Sequence, residues 1–484
     1  MDCDLLIVGG GINGCAIARE AVLNGLSVML VEKDDLAGHT SSASTKLIHG
    51  GLRYLEQYEF ALVREALAER ERMLAAAPHL VTPLTFVLPH ENAVRPWWMV
   101  RAGLALYDLL AGRSSLPRAR SLRKSDTAFS APLKGGSRGF VYSDAWVDDA
   151  RLTLAYAQDA AENGAEVATR TALVSARREG DAWRATLSDG REIAARSIVN
   201  AAGPWVAATL GLLGINAKSG VRLVKGSHIA VSRLYEGDHA YILQLPDRRM
   251  VFAIPWRDRF TLIGTTDVPV ERPEDAVISD DEVAYLCEAV NSHFTRQIAP
   301  ADVVANYSGV RPLFDDGEGA ASEVTRDYVL ELDDNGPPLL SVFGGKITTA
   351  RHLAEEAVGK IGKAFRRQTH HATRARILPG GAIPPLPQFI EQVAQRWPFL
   401  GEARAERMAA AYGDRLATML NAVADEAAMG EPLGGGLTAI EVRWMRDHEW
   451  ARTADDILWR RSKLGLEADF DRDGISAILA ETIP

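Results

Sequence analysis

A glycine-rich turn near the start of the chain has the residue types and spacing of a dinucleotide site. A short apolar run over residues 4–8 leads into Gly9, Gly11 and Gly14, and a second apolar run ends at Glu32. Gly9 permits a tight turn, Gly11 lets a pyrophosphate approach the backbone, and Gly14 lets a helix pack closely on the strand. Glu32 can accept hydrogen bonds from ribose hydroxyls and would repel a 2′-phosphate, which disfavours NADP. The pattern predicts one βαβ unit that binds FAD or NAD.

Basic residues further along the chain have the chemistry of a phosphate site. Arg53, Arg311 and Arg326 are candidates, because a planar guanidinium can pair with two phosphate oxygens. Arg326 has a competing role as the ion-pair partner of a nearby carboxylate. Lys346 follows two glycines and precedes a helical pattern over residues 348–361, where a cation is unfavourable unless an anion offsets it. Lys346 could therefore reach a phosphate or the electron-rich edge of a flavin.

A histidine between these motifs is the first candidate for a general base. His49 qualifies because an imidazole can take a proton near neutral pH, and His228 is the second candidate. The alternative role of His49 is to orient a flavin or donate a hydrogen bond. The glycines at positions 50 and 51 would let the backbone approach a flavin. Tyr54 could hydrogen-bond a phosphate or form a wall of the pocket. Four hydroxyl groups could cover a pyrophosphate or simply form a turn, those of Ser41, Ser42, Ser44 and Thr45.

The composition is that of a globular protein with more than one domain. The 484 residues exceed the usual size of one domain, and 47% of them are hydrophobic. The net charge of −10 argues against nucleic acid as a partner. Three cysteines without a CxxC pair or metal-ligand spacing indicate a reducing, cytoplasmic setting and no metal site. An uncharged stretch over 197–217 contains Asn200, Gly203 and Pro204, so it is predicted to form a strand, a turn and a helix instead of a membrane span.

Longer segments carry a family resemblance. Residues 40–55 read TSSASTKLIHGGLRYL and closely resemble the aerobic, membrane-associated glycerol-3-phosphate dehydrogenases. The segments that match the same family in register are 142–152, 224–229, 263–267, 307–312, 325–328, 343–349, 447–450 and 458–461. The resemblance therefore covers essentially the whole chain. Two departures lie beside the expected flavin site, Ala202 where the family commonly has threonine and Ala350 where it has tyrosine.

This resemblance implies an activity, a cofactor and a set of site residues. The expected reaction is oxidation of sn-glycerol 3-phosphate to dihydroxyacetone phosphate by hydride transfer to N5 of FAD, with the electrons passed to a membrane quinone. The expected catalytic residues are His49, Arg311 and Lys346, and the expected substrate-binding residues are Arg53, Tyr54, His228, Arg311, Arg326 and Lys346. The expected FAD-binding residues are Gly9, Gly11, Asn13, Gly14, Glu32, Lys33, Thr40, Ser41, Ser42, Ser44, Lys46, His49, Gly50, Gly51, Ala202, Gly203, Trp205, Gly345, Lys346, Ile347 and Thr348. The expected location is the cytoplasmic face of the inner membrane, and a homodimer is a candidate assembly.

Three other functions stay open at this point. One is an oxidase of the same substrate that passes electrons to dioxygen. Another is an amine or amino-acid oxidase of the same general fold, which needs a carboxylate clamp instead of a dianion pocket. The third is a flavin-bound interaction protein without catalysis, which would leave the collected cations without a ligand.

The resemblance also implies an α/β fold with three parts. An FAD-binding Rossmann-like domain would carry an inserted antiparallel-sheet substrate cap and a C-terminal helical domain. Patterns over residues 250–254 and 261–264 are typical of antiparallel strands and support the cap. The expected segments are 1–77, 140–217 and 306–375 for the FAD domain, 78–139 and 218–305 for the cap, and 376–484 for the C-terminal domain.

One segment of the expected cap favours contact with a lipid surface. Residues 97–110 are apolar with few charges, and five cations follow, Arg113, Arg118, Arg120, Arg123 and Lys124. An apolar segment beside a cationic one is typical of peripheral proteins that dock on anionic lipid. The alternative is a buried cap helix followed by a solvated basic loop.

Overall fold

The computed structural model describes residues 1–91, 95–135, 138–215, 220–315, 327–467 and 469–481. The strands are β1 Cys3–Val8, β2 Val28–Val31, β3 Leu47–Ile48, β4 Val81–Pro89, β5 Arg120–Ser121, β6 Gly139–Val147, β7 Glu166–Ala168, β8 Leu173–Glu179, β9 Ala182–Leu187, β10 Glu192–Asn200, β11 Gly220–Ser232, β12 Ala240–Gln244, β13 Met250–Trp256, β14 Phe260–Gly264, β15 Val268–Pro269, β16 Val303–Asp315, β17 Val329–Asp333, β18 Leu339–Phe343, β19 Pro432–Gly434 and β20 Leu437–Thr438. The α-helices are α1 Ile12–Leu23, α2 Phe60–Ala76, α3 Trp97–Ala111, α4 Thr127–Ser130, α5 Asp149–Glu162, α6 Val206–Leu212, α7 Asp280–His293, α8 Ala350–Ala364, α9 Leu386–Arg396, α10 Glu402–Tyr412, α11 Leu416–Met419, α12 Ala439–His448 and α13 Arg472–Ala480.

The first sheet contains the predicted nucleotide unit. Its strands lie in the order β17, β18, β10, β1, β2, β7, with β9 beside β10 and β8 beside β9. The five strands from β18 to β7 are parallel neighbours, and all four residues of β2 are buried, as expected for a strand covered on both faces. Helix α1 packs against both α5 and α8 on one face of this sheet. The predicted strand, helix and second strand around the glycines are therefore confirmed.

The second sheet is almost entirely antiparallel. Its order is β15, β11, β14, β13, β12, β4, β6, β3, with β16 beside β11 and β5 beside β6. Only the pairing of β12 with β4 is parallel among its described strands. Successive residues of β4 enter different cores, because Phe86 packs with α3 and Val87 packs with α7. The predicted antiparallel strands over 250–254 and 261–264 are confirmed as β13 and β14.

Sheet membership differs from the expected segments at two junctions. β6 was expected to open the second FAD-domain segment, but it pairs with β4 along nine residues of the antiparallel sheet. β16 crosses the expected junction at 305/306 and pairs with β11 over most of its length. The strands that pair with β6 and β16 lie far from them in the sequence. The second sheet therefore includes residues that local sequence patterns assign to the FAD domain.

The chain after residue 385 folds around a core of its own. Helices α9 to α13 and the β19–β20 hairpin surround buried residues that include Met408, Val442, Met445 and Ile457. Among the described residues, no helix is long and apolar enough to cross a membrane. The uncharged stretch over 197–217 supplies the end of β10, a 3-10 turn and α6, so that prediction is confirmed.

Candidate functional site

The glycine turn has the geometry that its spacing predicts. Gly9 adopts a φ of +113°, which L side chains rarely allow. A Cβ on Gly14 would lie 1.9 Å from the Gly9 carbonyl oxygen, so α1 rests directly against the end of β1. A Cβ on Gly11 would approach only the Ser41 hydroxyl, at 3.1 Å. The backbone at Gly11 is therefore open to a cleft at the N-terminus of α1, where N–H groups and the helix dipole favour an anion.

Glu32 lies at the far end of this cleft. Its carboxylate accepts hydrogen bonds from the Gly10 N–H at 2.6 Å and the Asp34 N–H at 2.9 Å. Burial raises the pKa of Glu32, although these N–H groups act in the opposite direction. Glu32, Asp34 and His39 are close enough to share a metal ion, but the Glu32 oxygens already accept from the backbone. Glu32 is thus placed as an acceptor for a ligand at the end of β2.

Many of the expected FAD-binding residues line one continuous cleft. They are Gly9, Gly11, Asn13, Glu32, Lys33, Thr40, Ser41, Ala202, Gly203, Trp205 and Gly345. The Lys33 ammonium lies 4.0 Å from the centre of the Trp205 ring. The sequence reasoning missed Thr171, Ala172 and Leu173, which line the cleft directly after β7. The available signal was the strand pattern over 166–168, because loops at the carboxyl ends of parallel strands line ligand clefts.

The hydroxyl-rich segment after Gly38 is largely held by the protein itself. The Thr40 hydroxyl donates to the Val310 carbonyl at 2.8 Å, and the Ser44 hydroxyl donates to Asp149 at 2.7 Å. The Ser42 hydroxyl donates to the His39 carbonyl at 3.2 Å. The Ser41 hydroxyl accepts the Ile12 N–H at the start of α1, at 2.9 Å. The turn-forming alternative therefore describes Ser42, and Ser44 is held by Asp149, whereas Thr40 and Ser41 also line the cleft.

Lys46 was expected to bind the cofactor, but its side chain enters a buried ion cluster. Its ammonium lies 2.9 Å from Asp149, which also accepts from Lys463 at 2.9 Å. Lys463 pairs with Asp148 as well. Burial opposes ionisation of Asp149, yet the two lysines lower the pKa of that carboxyl well below its usual range. The Lys46 side chain thus fixes the loop from Ser42 to Lys46, since its ammonium also donates to the Ser42 carbonyl at 3.0 Å.

Asn13 connects the first helix to the loop before α8. Its amide donates to the Gly344 carbonyl at 3.1 Å, and a Cβ on Gly345 would lie 2.5 Å from the same amide nitrogen. Gly345 adopts a φ of +99°. Lys346 follows at the start of the 3-10 turn Ile347–Thr349 that leads into α8, so the predicted helix start is confirmed. These contacts bring the two ends of the expected FAD site together across the first sheet.

His49, Tyr54 and Lys346 form a group beside that loop. The Lys346 ammonium lies 4.3 Å from the centre of the Tyr54 ring. Burial and the charge of Lys346 lower the pKa of His49 to about 4, so the ring is neutral at pH 7. His49 Nδ1 accepts the Gly51 N–H at 3.1 Å, which places the proton of the neutral ring on Nε2. Arg53 is partly buried and makes no hydrogen bond or ion pair with any residue that the structure describes.

The two glycines after His49 have different roles. Gly51 adopts a φ of +73° and precedes the 3-10 turn that carries Arg53 and Tyr54. The Gly50 N–H donates to the Tyr107 hydroxyl at 2.8 Å, and a Cβ on Gly50 would lie 2.7 Å from that hydroxyl. Close packing against Tyr107 therefore explains why residue 50 is a glycine. The expected approach of its backbone to a flavin is not needed for that explanation.

Arg311 and His228 lie on neighbouring strands of the second sheet. Arg311 pairs with Asp267 at 2.8 Å and donates to the Thr266 carbonyl at 2.9 Å, so part of its guanidinium is occupied. His228 Nε2 lies 3.0 Å from the Thr45 hydroxyl. Burial, Lys46 and Arg311 lower the pKa of His228 to about 3. Arg326 lies outside the described residues.

The cleft fits an FAD nucleotide on several independent observations. The glycine turn leaves no room for side chains at Gly9 and Gly14, Glu32 is an acceptor, and the buried Asn13 Oδ1 has no hydrogen-bond partner among the described residues. Residues 4–351 match the family "FAD dependent oxidoreductase", and residues 371–481 match "C-terminal domain of alpha-glycerophosphate oxidase". The chain is therefore an FAD-dependent oxidoreductase, and FAD is its cofactor.

Relatives narrow this class to one family. A glycerol-3-phosphate dehydrogenase of Pseudomonas aeruginosa is 55% identical, with 96% of this chain and 92% of the relative covered. A D-erythritol 1-phosphate dehydrogenase of Brucella abortus is 47% identical, with 95% and 94% covered. The crystal structure of a glycerol-3-phosphate dehydrogenase from Bacillus halodurans with FAD has a TM-score of 0.74 at 27% identity, with 95% and 86% covered. The chain belongs to the glycerol-3-phosphate dehydrogenase family.

Proposed function

We propose that the chain oxidises sn-glycerol 3-phosphate to dihydroxyacetone phosphate. The observation that carries this proposal is Lys346 against Tyr54 and beside His49, with Arg53 next to Tyr54 on the same 3-10 turn. Neither cation has an ion-pair partner among the described residues, and both are partly buried beside a neutral imidazole. A phosphate dianion would supply the missing counter-charge, because a desolvated cation without a partner is unfavourable.

The residues of this group can bind the substrate and accept its proton, two tasks that FAD does not perform. FAD, when bound, supplies the acceptor for the two electrons that leave with hydrogen from carbon 2. Arg53 and Lys346 would hold the phosphate, and Arg311 would add a third cation. The hydroxyl proton would pass to Nε2 of His49. That step requires the ring to carry its own proton on Nδ1 and to release the Gly51 N–H.

Anaerobic reduction of the bound flavin tests the substrate. Glycerol 3-phosphate should bleach the flavin of the FAD-loaded protein within the time of steady-state turnover. Faster reduction by D-erythritol 1-phosphate would assign the longer polyol phosphate as substrate. Reduction by glycine alone would place the chain among amino-acid oxidases, and reduction by none of the three would contradict an oxidoreductase of this substrate class.

We further propose that a membrane quinone receives the electrons and that the chain docks on the cytoplasmic face of the inner membrane. Helix α3 supports this proposal, because it presents two apolar faces. Val100, Leu104 and Tyr107 are buried against the second sheet, whereas Trp98 is 70% exposed and Leu109 is 75% exposed. Met99, Ala102 and Ala105 are exposed beside them, together with the one cation Arg101. An interfacial helix with an apolar outer face is typical of peripheral membrane proteins.

The choice of variant for the membrane test depends on the burial of the two tryptophans. Trp97 stacks on Phe140 with ring centres 4.1 Å apart, so its replacement would disturb the core. Trp98→Ser with Leu109→Ser should reduce sedimentation with vesicles, and Val174→Ser with Val304→Ser removes exposed apolar groups elsewhere as a control. Equal vesicle binding by both variants would contradict docking through α3. Turnover with a soluble quinone analogue compared with dioxygen then decides the acceptor.

A further inference from the structure

The peptide bond that follows His49 is held by a buried tyrosine from another element. The Gly50 N–H donates to the Tyr107 hydroxyl at 2.8 Å, and Tyr107 lies on the buried face of α3 with 2% of its surface exposed. A peptide unit is planar, so a bond that fixes the Gly50 N–H also fixes the plane that begins at His49. Tyr107 therefore restrains the backbone of His49 directly after β3 ends.

A buried carboxylate orients the Tyr107 hydroxyl. This hydroxyl lies 2.9 Å and 2.8 Å from the two carboxylate oxygens of Asp144, which is 1% exposed. Burial raises the pKa of Asp144 to about 6, although Arg70 acts in the opposite direction, so the carboxyl is largely ionised at pH 7. An ionised carboxylate can only accept, so the hydroxyl donates its hydrogen to Asp144 and keeps a lone pair for the Gly50 N–H.

Two neighbouring elements hold Asp144 beside the loop that follows β3. Ile48, the last residue of β3, pairs with Ala145 of β6, and Asp144 directly precedes Ala145. Arg70 of α2 donates to Asp144 at 2.7 Å and supplies its counter-charge. The bond from Tyr107 is therefore not needed for charge balance, and its effect is to connect this ion pair to residue 50.

We propose that Tyr107 and Asp144 are positioning residues for His49. The His49 ring accepts the Gly51 N–H and has to release it before Nε2 can take the substrate proton. The bond from the Gly50 N–H to Tyr107 takes no part in that exchange, so it keeps the backbone in place while the ring changes its partner. The distance from the ring to the substrate is thereby preserved, which is what a reacting group requires. This inference rests on the proposed role of His49 as the base.

Tyr107→Phe tests the inference in the FAD-loaded full chain, because it removes the hydroxyl and keeps the ring. The limiting rate of flavin reduction by glycerol 3-phosphate should fall about 10- to 100-fold, the size of effect that misplacing a reacting group produces. The half-saturating substrate concentration should change less than about threefold, because the cations proposed to hold the phosphate are untouched. A normal limiting rate would overturn the inference, as would a change confined to the half-saturating concentration.

Tyr235→Phe is the matched control. The Tyr235 hydroxyl is buried and donates to the His239 carbonyl at 2.8 Å and the Ala253 carbonyl at 3.0 Å. Its removal deletes a buried tyrosine hydroxyl that has no contact with the loop after β3. This variant should reduce its flavin at the unmodified rate, and an equal loss in both variants would overturn the inference.

Asp144→Asn separates positioning from stability. Asparagine keeps an acceptor oxygen for the Tyr107 hydroxyl, so flavin reduction should slow less than in Tyr107→Phe. The same change removes a charge that pairs with the buried Arg70, so the unfolding temperature should fall further than in Tyr107→Phe. Reduction rates that follow the unfolding temperatures of the two variants would overturn the inference.

A double-mutant cycle with His49→Asn shows whether the effect passes through the His49 ring. Adding Tyr107→Phe or Asp144→Asn to His49→Asn should slow reduction by less than about threefold, because the positioned group is already absent. Losses that multiply would overturn the inference, and Asp144→Asn gives this result even if Tyr107→Phe does not retain FAD. Slow reduction by His49→Asn with normal reduction by Tyr107→Phe would refute the positioning role alone. Normal reduction by His49→Asn would refute the base role and the inference with it.

Discussion

Replacing His49 by asparagine tests the proton-transfer role most directly. Asparagine keeps an acceptor for the Gly51 N–H, which His49 Nδ1 accepts at 3.1 Å, but it cannot take a proton. The pKa of His49 is lowered to about 4, so the neutral ring outnumbers the cation by roughly 1000 to 1 at pH 7. The ring is therefore in the protonation state of a base, although its proton is on the wrong nitrogen.

The size of the expected effect follows from two energies. Moving the ring proton to Nδ1 sacrifices one backbone hydrogen bond, which contributes about 0.5–1.5 kcal/mol. A general base accelerates its step by about 10²- to 10⁴-fold, equivalent to about 3–5 kcal/mol. The gain exceeds the loss, so His49→Asn should slow flavin reduction by about 10²- to 10⁴-fold.

Anaerobic rapid mixing with glycerol 3-phosphate measures this rate constant, with FAD content checked by absorbance. His239→Asn is a matched control, because burial lowers the pKa of His239 to about 4 while its ring bonds Tyr241 inside the second sheet. The control should lose stability but keep its reduction rate within about threefold, since it donates nothing to the site. A loss below about tenfold in His49→Asn would refute the base role. That result would leave His49 as a donor through its Nε2–H.

Lys346→Met should raise the KM for glycerol 3-phosphate by roughly 10- to 100-fold, because a charge-assisted hydrogen bond contributes about 1.5–3 kcal/mol. An unchanged KM in steady-state assays would show that Lys346 does not bind the phosphate. Lys463→Met should speed FAD release and lower the free energy of unfolding by about 3–5 kcal/mol, whereas the control Arg472→Met removes an exposed ion pair and should change neither. Acidification from pH 6.5 to pH 5 should destabilise the fold by about 2 kcal/mol for each of His79 and His228, whose pKa values burial lowers to about 3. The sign follows because the unfolded chain binds those protons first, and thermal unfolding across this pH range would show no slope if both rings were already charged.

The nucleotide turn could be predicted from the sequence because its determinants are local. Gly9 and Gly14 lie within one βαβ unit, and each has the conformation or close contact that its position predicts. The helix start after Lys346 was predictable for the same reason, since the glycines and the helical period adjoin. Local patterns of this kind fix both the backbone and the side-chain role.

Contacts between segments that are distant in the sequence could not be predicted from local patterns. No sequence pattern near Lys46 indicates that its ammonium pairs with Asp149, so Lys46 was expected to contact the cofactor. The strand β16 was divided by the expected junction because its partner β11 precedes it by about 80 residues, a separation that local alternation does not reveal. The cleft residue Thr171 was missed because its place depends on the parallel pairing of β7 with β2.

The C-terminal domain gains a structural role from the same long-range contacts. Asp35, which is buried in the segment after Glu32, pairs with Arg460 and Arg461 of a π-helical turn, Asp456–Arg461. Lys463 reaches Asp149, which holds the loop that ends at Lys46. A buried carboxylate that loses its cations is destabilised by several kcal/mol, about 3–5 when a single pair is broken. The segments that carry Asp35 and Asp149 are therefore coupled to the C-terminal domain, which carries their counter-charges Arg460, Arg461 and Lys463. We therefore expect loss of these ion pairs to weaken FAD retention as well as the stability of the fold.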